Sequence, residues 1–388
     1  MSKKCTVTIS QPILDWVISH VKMESLTEQI ANYLKDWYAG EKQPTFNQVE
    51  KVSKATGIPF GYFFLSAPPV EDLSLIEYRT IDSLELVNPS RNLIDTIHDM
   101  SLRQEWMRNH LISQGESPLE YVGKFKNGSA KNVTNEVRAI LNLSEDWFLD
   151  SKNTPQSFNR IRRAISNAGT MVMMNGVVGS NTHRPLSVDE FRAFTLVDEY
   201  SPLIFINNSD SINGKLFSLL HEFSHVLIGE NSLFNVKYSG GTEVNNLETT
   251  CNAVAAEVLV PQEYFIDMWK QTIRKAPANE VIVELANHFH CGTMVIARKA
   301  LDNKFINYKE YTEAAELAKR LYKEDRLKRK NSTGGNYYNT AASRLDPHFF
   351  SQLVSSVNEG TTLYTDAFRL SDTNRTTFSN LVGKVGEK

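Results

Sequence analysis

The residues with the most chemistry to offer lie together in the middle of the chain: His221-Glu222-Phe223-Ser224-His225. At about 3.6 residues per turn, positions four apart on a helix differ by about 40° around the axis. Both imidazoles then face the same way and can grip one zinc ion, with Glu222 beside the metal rather than on it. A general base for a zinc-activated water belongs there, and the chemistry this predicts is hydrolysis of a peptide bond. The neighbours Leu220, Phe223, Ser224, Val226 and Leu227 are uncharged. The helix is therefore expected to be buried around its polar triplet, and buried charge needs a partner. The bland alternative is a pair of core histidines hydrogen-bonded to backbone. A purely structural zinc site would have no use for Glu222.

A catalytic zinc usually takes three protein ligands. Glu248, in Glu248-Thr249-Thr250-Cys251-Asn252, follows a polar loop and opens the next helix, where it can start beside the metal. Glu257 is the rival. It lies nine residues on, about 180° round the same helix, so both cannot face one ion. Glu257 sits among Ala255, Ala256, Val258 and Leu259, where it either needs a partner or faces solvent. The metal set is thus read as His221, His225 and Glu248, with Glu222 catalytic and Glu257 competing for the third place. His183, His288 and His290 are weaker ligands, because a lone histidine is more often a satisfied surface or core residue. His183 could still donate to a transition-state oxyanion.

These residues need a frame. GKLFSLLHEFSHVLIGE, residues 214–230, reads as one strongly apolar helix, and LETTCNAVAAEVLVP as a second that Pro261 stops. From about 155 to 210, AISNAGTMVMMNGVV and FRAFTLVDEYSPLIFINN are rich in β-branched and aromatic residues with Gly, Asn and Pro breaks, which predicts strands. The strand at Ile204–Asn207 could align a peptide beside the zinc. Residues 280–306 give helix, turn, helix. Residues 308–330 form a charged helix whose basic end, RLKRK, reads as a solvated face. Upstream, ILDWVISHV is helical, and SLTEQIANYLKDW opens on Ser25 with Glu28 three residues later, the pattern of a capping box. TFNQVEKVSKAT is a third helix, ended by Gly57 and Pro59, and LIDTIHDMSLRQEWMRNHLI a longer one.

With 388 residues, 41% of them hydrophobic, the chain can bury a sizeable core, and a net charge of −3 gives no global pull toward nucleic acid or anionic lipid. Cys5, Cys251 and Cys291 are too scattered for a disulfide framework or a thiolate zinc site. No apolar stretch is long enough to cross a bilayer. The basic N-terminus lacks the apolar core of a signal peptide. A cytoplasmic protein with no membrane partner is expected.

EFRAFTLVDEYSPLIFINNSD, GKLFSLLHEFSHVLIGE and ETTCNAVAAEVLVP together resemble the ImmA/IrrE family of metallopeptidases, over residues 160–262. That family's Ile-x-Ile-Asn strand, HExxH helix and Glu-x-x-Ala-Asn helix correspond to Ile204–Asn207, His221–His225 and Glu248–Pro261. Ser224 stands where Gly is frequent and Cys251 where Ala is usual, and both are small. The resemblance implies Zn(2+) held by His221, His225 and Glu248, with Glu222 as base. It also implies a protein substrate: an XRE-type repressor or an antitoxin, cleaved to switch on genes of a mobile element or a stress response. Trp37, Gly40, Pro44 and Thr45 are similar to the Trp-x-x-Gly-x-x-x-Pro-Thr element of the XRE-type helix-turn-helix often fused upstream. Only five residues separate Ala31 from Trp37, which leaves no room for that module's recognition helix. Direct DNA binding by groove docking is thereby disfavoured, and a degenerate module that docks a protein is the alternative. Residues 340–388 look like the tail of the longer members.

The expectation is an α+β, mostly helical chain with an HExxH zincin-like core and a small sheet. A degenerate helix-turn-helix-like domain spans residues 1–70, a helical connection 71–150, the zinc peptidase 151–306, and a charged helix, loop and helical appendage 307–388. The competing function is a helix-turn-helix regulator, or a toxin–antitoxin or defence component, acting by protein binding around a non-catalytic zinc site.

Overall fold

The structure is a computed structural model that describes residues 6–21, 23–69, 89–126, 128–234, 246–330 and 336–386. It is mostly helical with a small mixed sheet, an α+β chain. Two compact units divide it, Met1–His98 with Asn181–Pro185, and Asp99–Ser180 with Leu186–Lys388. Among the described residues no helix is long and apolar enough to cross a membrane.

The first unit holds α1 (Gln11–His20), α2 (Glu28–Tyr38) and α3 (Phe46–Thr56). Ile13, Leu14 and Val17, then Ile30, Leu34 and Trp37, then Val49 and Val52 recur at helical spacing and close a small core with Ile58 and Phe63. The capping box expected at Ser25 and Glu28 is not the one that forms. The N-cap of α2 is Thr27. The box instead opens α3, where the Gln48 side-chain oxygen accepts from the Thr45 backbone N–H at 2.9 Å. Gly57 ends α3 in the left-handed region at φ 74°, where a glycine carries no Cβ penalty.

Along the second unit and its approach run α4 (Arg91–Ser113), α5 (Ala130–Ile140), α6 (Thr154–Asn167), β1 (Met171–Asn175) and β2 (Val177–Val178). After β3 (Asn181–Pro185), which counts with the first unit, come β4 (Ala193–Leu196), β5 (Leu203–Asn207), α7 (Ile212–Ile228), β6 (Ser232–Phe234) and α8 (Asn246–Leu259). Then follow α9 (Gln262–Thr272), α10 (Ala278–His288), α11 (Thr293–Asp302) and α12 (Tyr308–Lys330). Last are α13 (Tyr337–Arg344), α14 (Pro347–Asn358), α15 (Tyr364–Leu370) and α16 (Arg375–Gly386). The strands therefore begin at Met171, not near 155. Asn153 caps α6 by accepting from Gln156 N, Pro155 sits in the first turn, and Phe158, Ile161 and Ile165 line one buried face. The AISN tetrad is the tail of that helix.

The four-stranded sheet has the order β1-β5-β4-β6. β1 and β5 are parallel, with Met171 opposite Leu203, and β4 runs antiparallel to both β5 and β6. β1 and β5 are buried along their whole length, which is why they read as unbroken apolar runs. The position of β5 overturns one expectation. Both of its edges are taken, by β1 and β4, so its backbone cannot also pair with a peptide. At Val172 the outer edge of β1 is occupied as well: Val172 N donates to Asp346 Oδ2 at 3.0 Å, and Arg162 donates to Val172 O at 2.9 Å and Leu345 O at 2.8 Å. Asp346 is fully buried and also caps α14 through Phe349 N. In this way the C-terminal helices are tied to the sheet.

Helix α7 packs between the sheet and α8, in one core with Phe158, Val172, Ile204, Val254 and Phe289. Its sequence is apolar on nearly every side, the pattern of a helix enclosed all round. Ser211 caps its start by accepting from Gly214 N at 3.0 Å. Gly229, at φ 85°, ends it. Two of its last carbonyls are satisfied by a crossing loop, with Gly123 N on Val226 O at 3.1 Å and Phe125 N on Leu227 O at 3.0 Å. That loop comes close: a Cβ on Gly229 would lie 2.7 Å from the Gly123 Cα.

Candidate metal centre

Within this apolar helix His221 and Glu222 are completely buried and His225 nearly so. In the first turn of α8, beside the two histidines of α7, stands Glu248. The two imidazole Nε2 atoms are 3.2 Å apart. Glu248 Oε2 lies 3.2 Å from His221 Nε2, and Glu248 Oε1 lies 3.4 Å from His225 Nε2. Among the described residues this is the group of three whose donor atoms all fall within 4.8 Å of one another. A tetrahedral ion with bonds of about 2.0–2.1 Å sets its donors about 3.3 Å apart. The observed triangle has that size, and two imidazoles with one carboxylate suit zinc chemically. The residues present therefore fit the ion.

The electrostatics agree. Burial alone would lower the His225 imidazole, but Cys251 and Glu248 beside it outweigh burial and hold it above its ordinary value. The Cys251 thiol is itself pushed up by burial. Near neutral pH it is uncharged, and the standing attraction is the Glu248 carboxylate. A carboxylate that favours a proton on His225 would favour a metal cation there in its place.

Glu222 does not join the triangle. Its Oε2 accepts from Thr195 Oγ1 at 2.6 Å and from Ser232 Oγ, while Oε1 has no hydrogen-bond partner among the described residues. Ser224, where the resembled family often has Gly, turns its hydroxyl back on Leu220 O at 2.8 Å and leaves the centre undisturbed.

The other candidates are elsewhere. Glu257 pairs with Lys299 at 2.6 Å and accepts from Gln262 N at 2.9 Å, on the far side of α8 from Glu248. His290 Nδ1 lies 2.9 Å from Ser157 Oγ, and His288 sits edge-on to Phe148. His183 is exposed on β3, in the first unit. Thr195 and Ser232 were not picked out from sequence. The available signal was a hydroxyl at Thr195 between Phe194 and Leu196 in a strand otherwise apolar throughout.

Residues 180–301 match the IrrE N-terminal-like domain, Peptidase_M78. The matched segment runs from before β3 into α11 and takes in the whole centre: His221, Glu222, His225 and Glu248, with Thr195 and Ser232. It supports the resemblance to the ImmA/IrrE family and points to a metallopeptidase-type, metal-dependent domain in this part of the chain. Residues 345–384, from the Asp346 contact through α14 and α15 into α16, match DUF8813, a domain of unknown function. Comparisons with curated proteins and with solved structures return no match.

Proposed function

We propose that this chain is a cytoplasmic zinc-dependent endopeptidase that cuts one bond in a DNA-binding repressor or antitoxin. The observation that carries the reading is the juxtaposition of a three-donor triangle, His221, His225 and Glu248, with a buried carboxylate, Glu222, one of whose oxygens has no partner among the described residues. A zinc ion bound there acidifies water and polarises a carbonyl. His221, His225 and Glu248 would hold the ion. Glu222 takes a proton from the attacking water at Oε1 and returns it to the departing amine nitrogen. The apolar body of α7 keeps bulk water from the pair.

The substrate class rests on the resemblance to ImmA/IrrE peptidases together with the Peptidase_M78 match. Residues 1–70 are read as a helix-turn-helix-like unit whose surface mixes Lys42 with Asp36 and Lys54 with Glu50 as ion pairs, which suits a protein partner better than a phosphate backbone. Residues 151–306 are read as the peptidase domain, joined to that unit through 71–150 and followed by the appendage 307–388. The test is co-expression with an XRE-type repressor encoded beside this chain. Wild type shortens the repressor and Glu222→Gln leaves it whole. Equal shortening by both removes the proposal.

A further inference from the structure

The two hydroxyls on Glu222 come from different elements by a specific geometry. β4 pairs antiparallel with the edge strand β6, and in that register Thr195 stands directly opposite Ser232. Side chains of a directly opposed pair lie on one face of a sheet. Both are buried, and both reach the same carboxylate oxygen, Oε2 of Glu222 on the helix that covers this face. Thr195 Oγ1 is also 3.2 Å from the Glu222 carbonyl oxygen. A glutamate has three side-chain torsions to lose, and nothing in an apolar helix face would fix them. Two donors on one oxygen fix them together and leave Oε1 as the oxygen open to a proton.

We infer that Thr195 and Ser232 are positioning residues for the general base, a cross-strand hydroxyl clamp that aims Glu222 Oε1. The inference rests on the peptidase reading given above. In the reaction, Oε1 accepts one proton from water as the water oxygen bonds to the carbonyl carbon. The same proton then passes to the amine nitrogen as the C–N bond breaks. Throughout, the clamp hydroxyls keep their protons and hold Oε2. Neither supplies a donor atom of the His221, His225 and Glu248 triangle, so metal binding is expected to survive their replacement.

Two readouts test this on the full chain. One is the affinity of acetohydroxamate for the cobalt-substituted protein, followed by its visible spectrum, because a hydroxamate binds by handing a proton to the base. The other is kcat and KM on an internally quenched peptide library. Thr195→Val and Ser232→Ala are each expected to keep a full complement of metal. Each should lose about tenfold to a hundredfold in kcat, with KM retained, and weaken acetohydroxamate by a similar factor. Thr195→Ser, which restores the hydroxyl, should return both. The clamp is overturned if Thr195→Val and Ser232→Ala match wild type in both readouts while Glu222→Gln is impaired. It is overturned equally if their losses come with loss of metal, or if Thr195→Ser is as damaged as Thr195→Val. Should Thr195→Val not fold, Ser232→Ala and Thr195→Ser carry the comparison. If Glu222→Gln itself matches wild type, the peptidase reading fails first and the clamp falls with it.

Discussion

Replacing Asp346 by alanine should loosen the attachment of the C-terminal helices to the sheet. The carboxylate is fully buried, with Val172 N on Oδ2 and Phe349 N on Oδ1, both at 3.0 Å. Loss of a helix N-cap costs about 1 kcal/mol. Leaving the buried Val172 N–H without an acceptor costs about 1–3 kcal/mol more. Arg162 keeps the carbonyls of Val172 and Leu345 but loses the nearby negative charge that offsets its burial. The sum is about 3 kcal/mol, which at roughly 2–4 °C per kcal/mol lowers the melting temperature by roughly 6–12 °C. Calorimetry on wild type, Asp346→Ala and Asp346→Asn measures it. Asparagine is as good a cap as aspartate and keeps an acceptor, so Asp346→Asn should fall between the other two. A melting temperature for Asp346→Ala equal to wild type would refute the argument that the segment matching DUF8813 is anchored at this point.

Other outcomes follow from the same contacts. Glu248→Ala should lose bound zinc while Glu257→Ala retains it, measured by elemental analysis after dialysis; the reverse result would exchange their roles. Glu257→Ala should instead lower stability by about 1–2 kcal/mol in a denaturant titration, because the nearly buried Lys299 ammonium loses its carboxylate partner and keeps the Gln262 side-chain oxygen. Gly229→Ala should destabilise by about 1–2 kcal/mol, since a Cβ there meets the Gly123 backbone and φ is positive. Burial pushes the Cys291 thiol up to about 12 from 9.0. The folded state thus favours the protonated thiol, and this contribution to stability is complete below pH 9 and lost as pH rises from 9 toward 12. Iodoacetamide at pH 8 should accordingly spare Cys291 in the native chain and label it after unfolding, as read by peptide mass spectrometry.

What could be read from sequence was what lies close in sequence. His221, Glu222 and His225 fall within two turns, so helix geometry alone puts the two imidazoles on one side. Glu248 was legible because a helix starting beside the site offers its first turn. The clamp was not legible. Thr195 and Ser232 are 27 and 10 residues from Glu222, and only the register of β4 with β6 brings them to one oxygen. The Asp346 contact was still further out of reach, 174 residues from Val172. Strands were expected too early because AISNAG runs straight into the apolar strand that follows it and was read as one stretch with it, while the Asn153 cap of α6 lies upstream. The peptide-aligning role expected of Ile204–Asn207 failed for a related reason: an apolar run marks a buried strand but does not say whether an edge is free.

The most direct test of the metal centre is elemental analysis of wild type, His221→Ala and Glu222→Gln, purified side by side without chelator. About one zinc per chain is expected in wild type and in Glu222→Gln, and none in His221→Ala. Zinc retained by His221→Ala, or absent from wild type, would contradict the assignment of His221, His225 and Glu248 as its ligands.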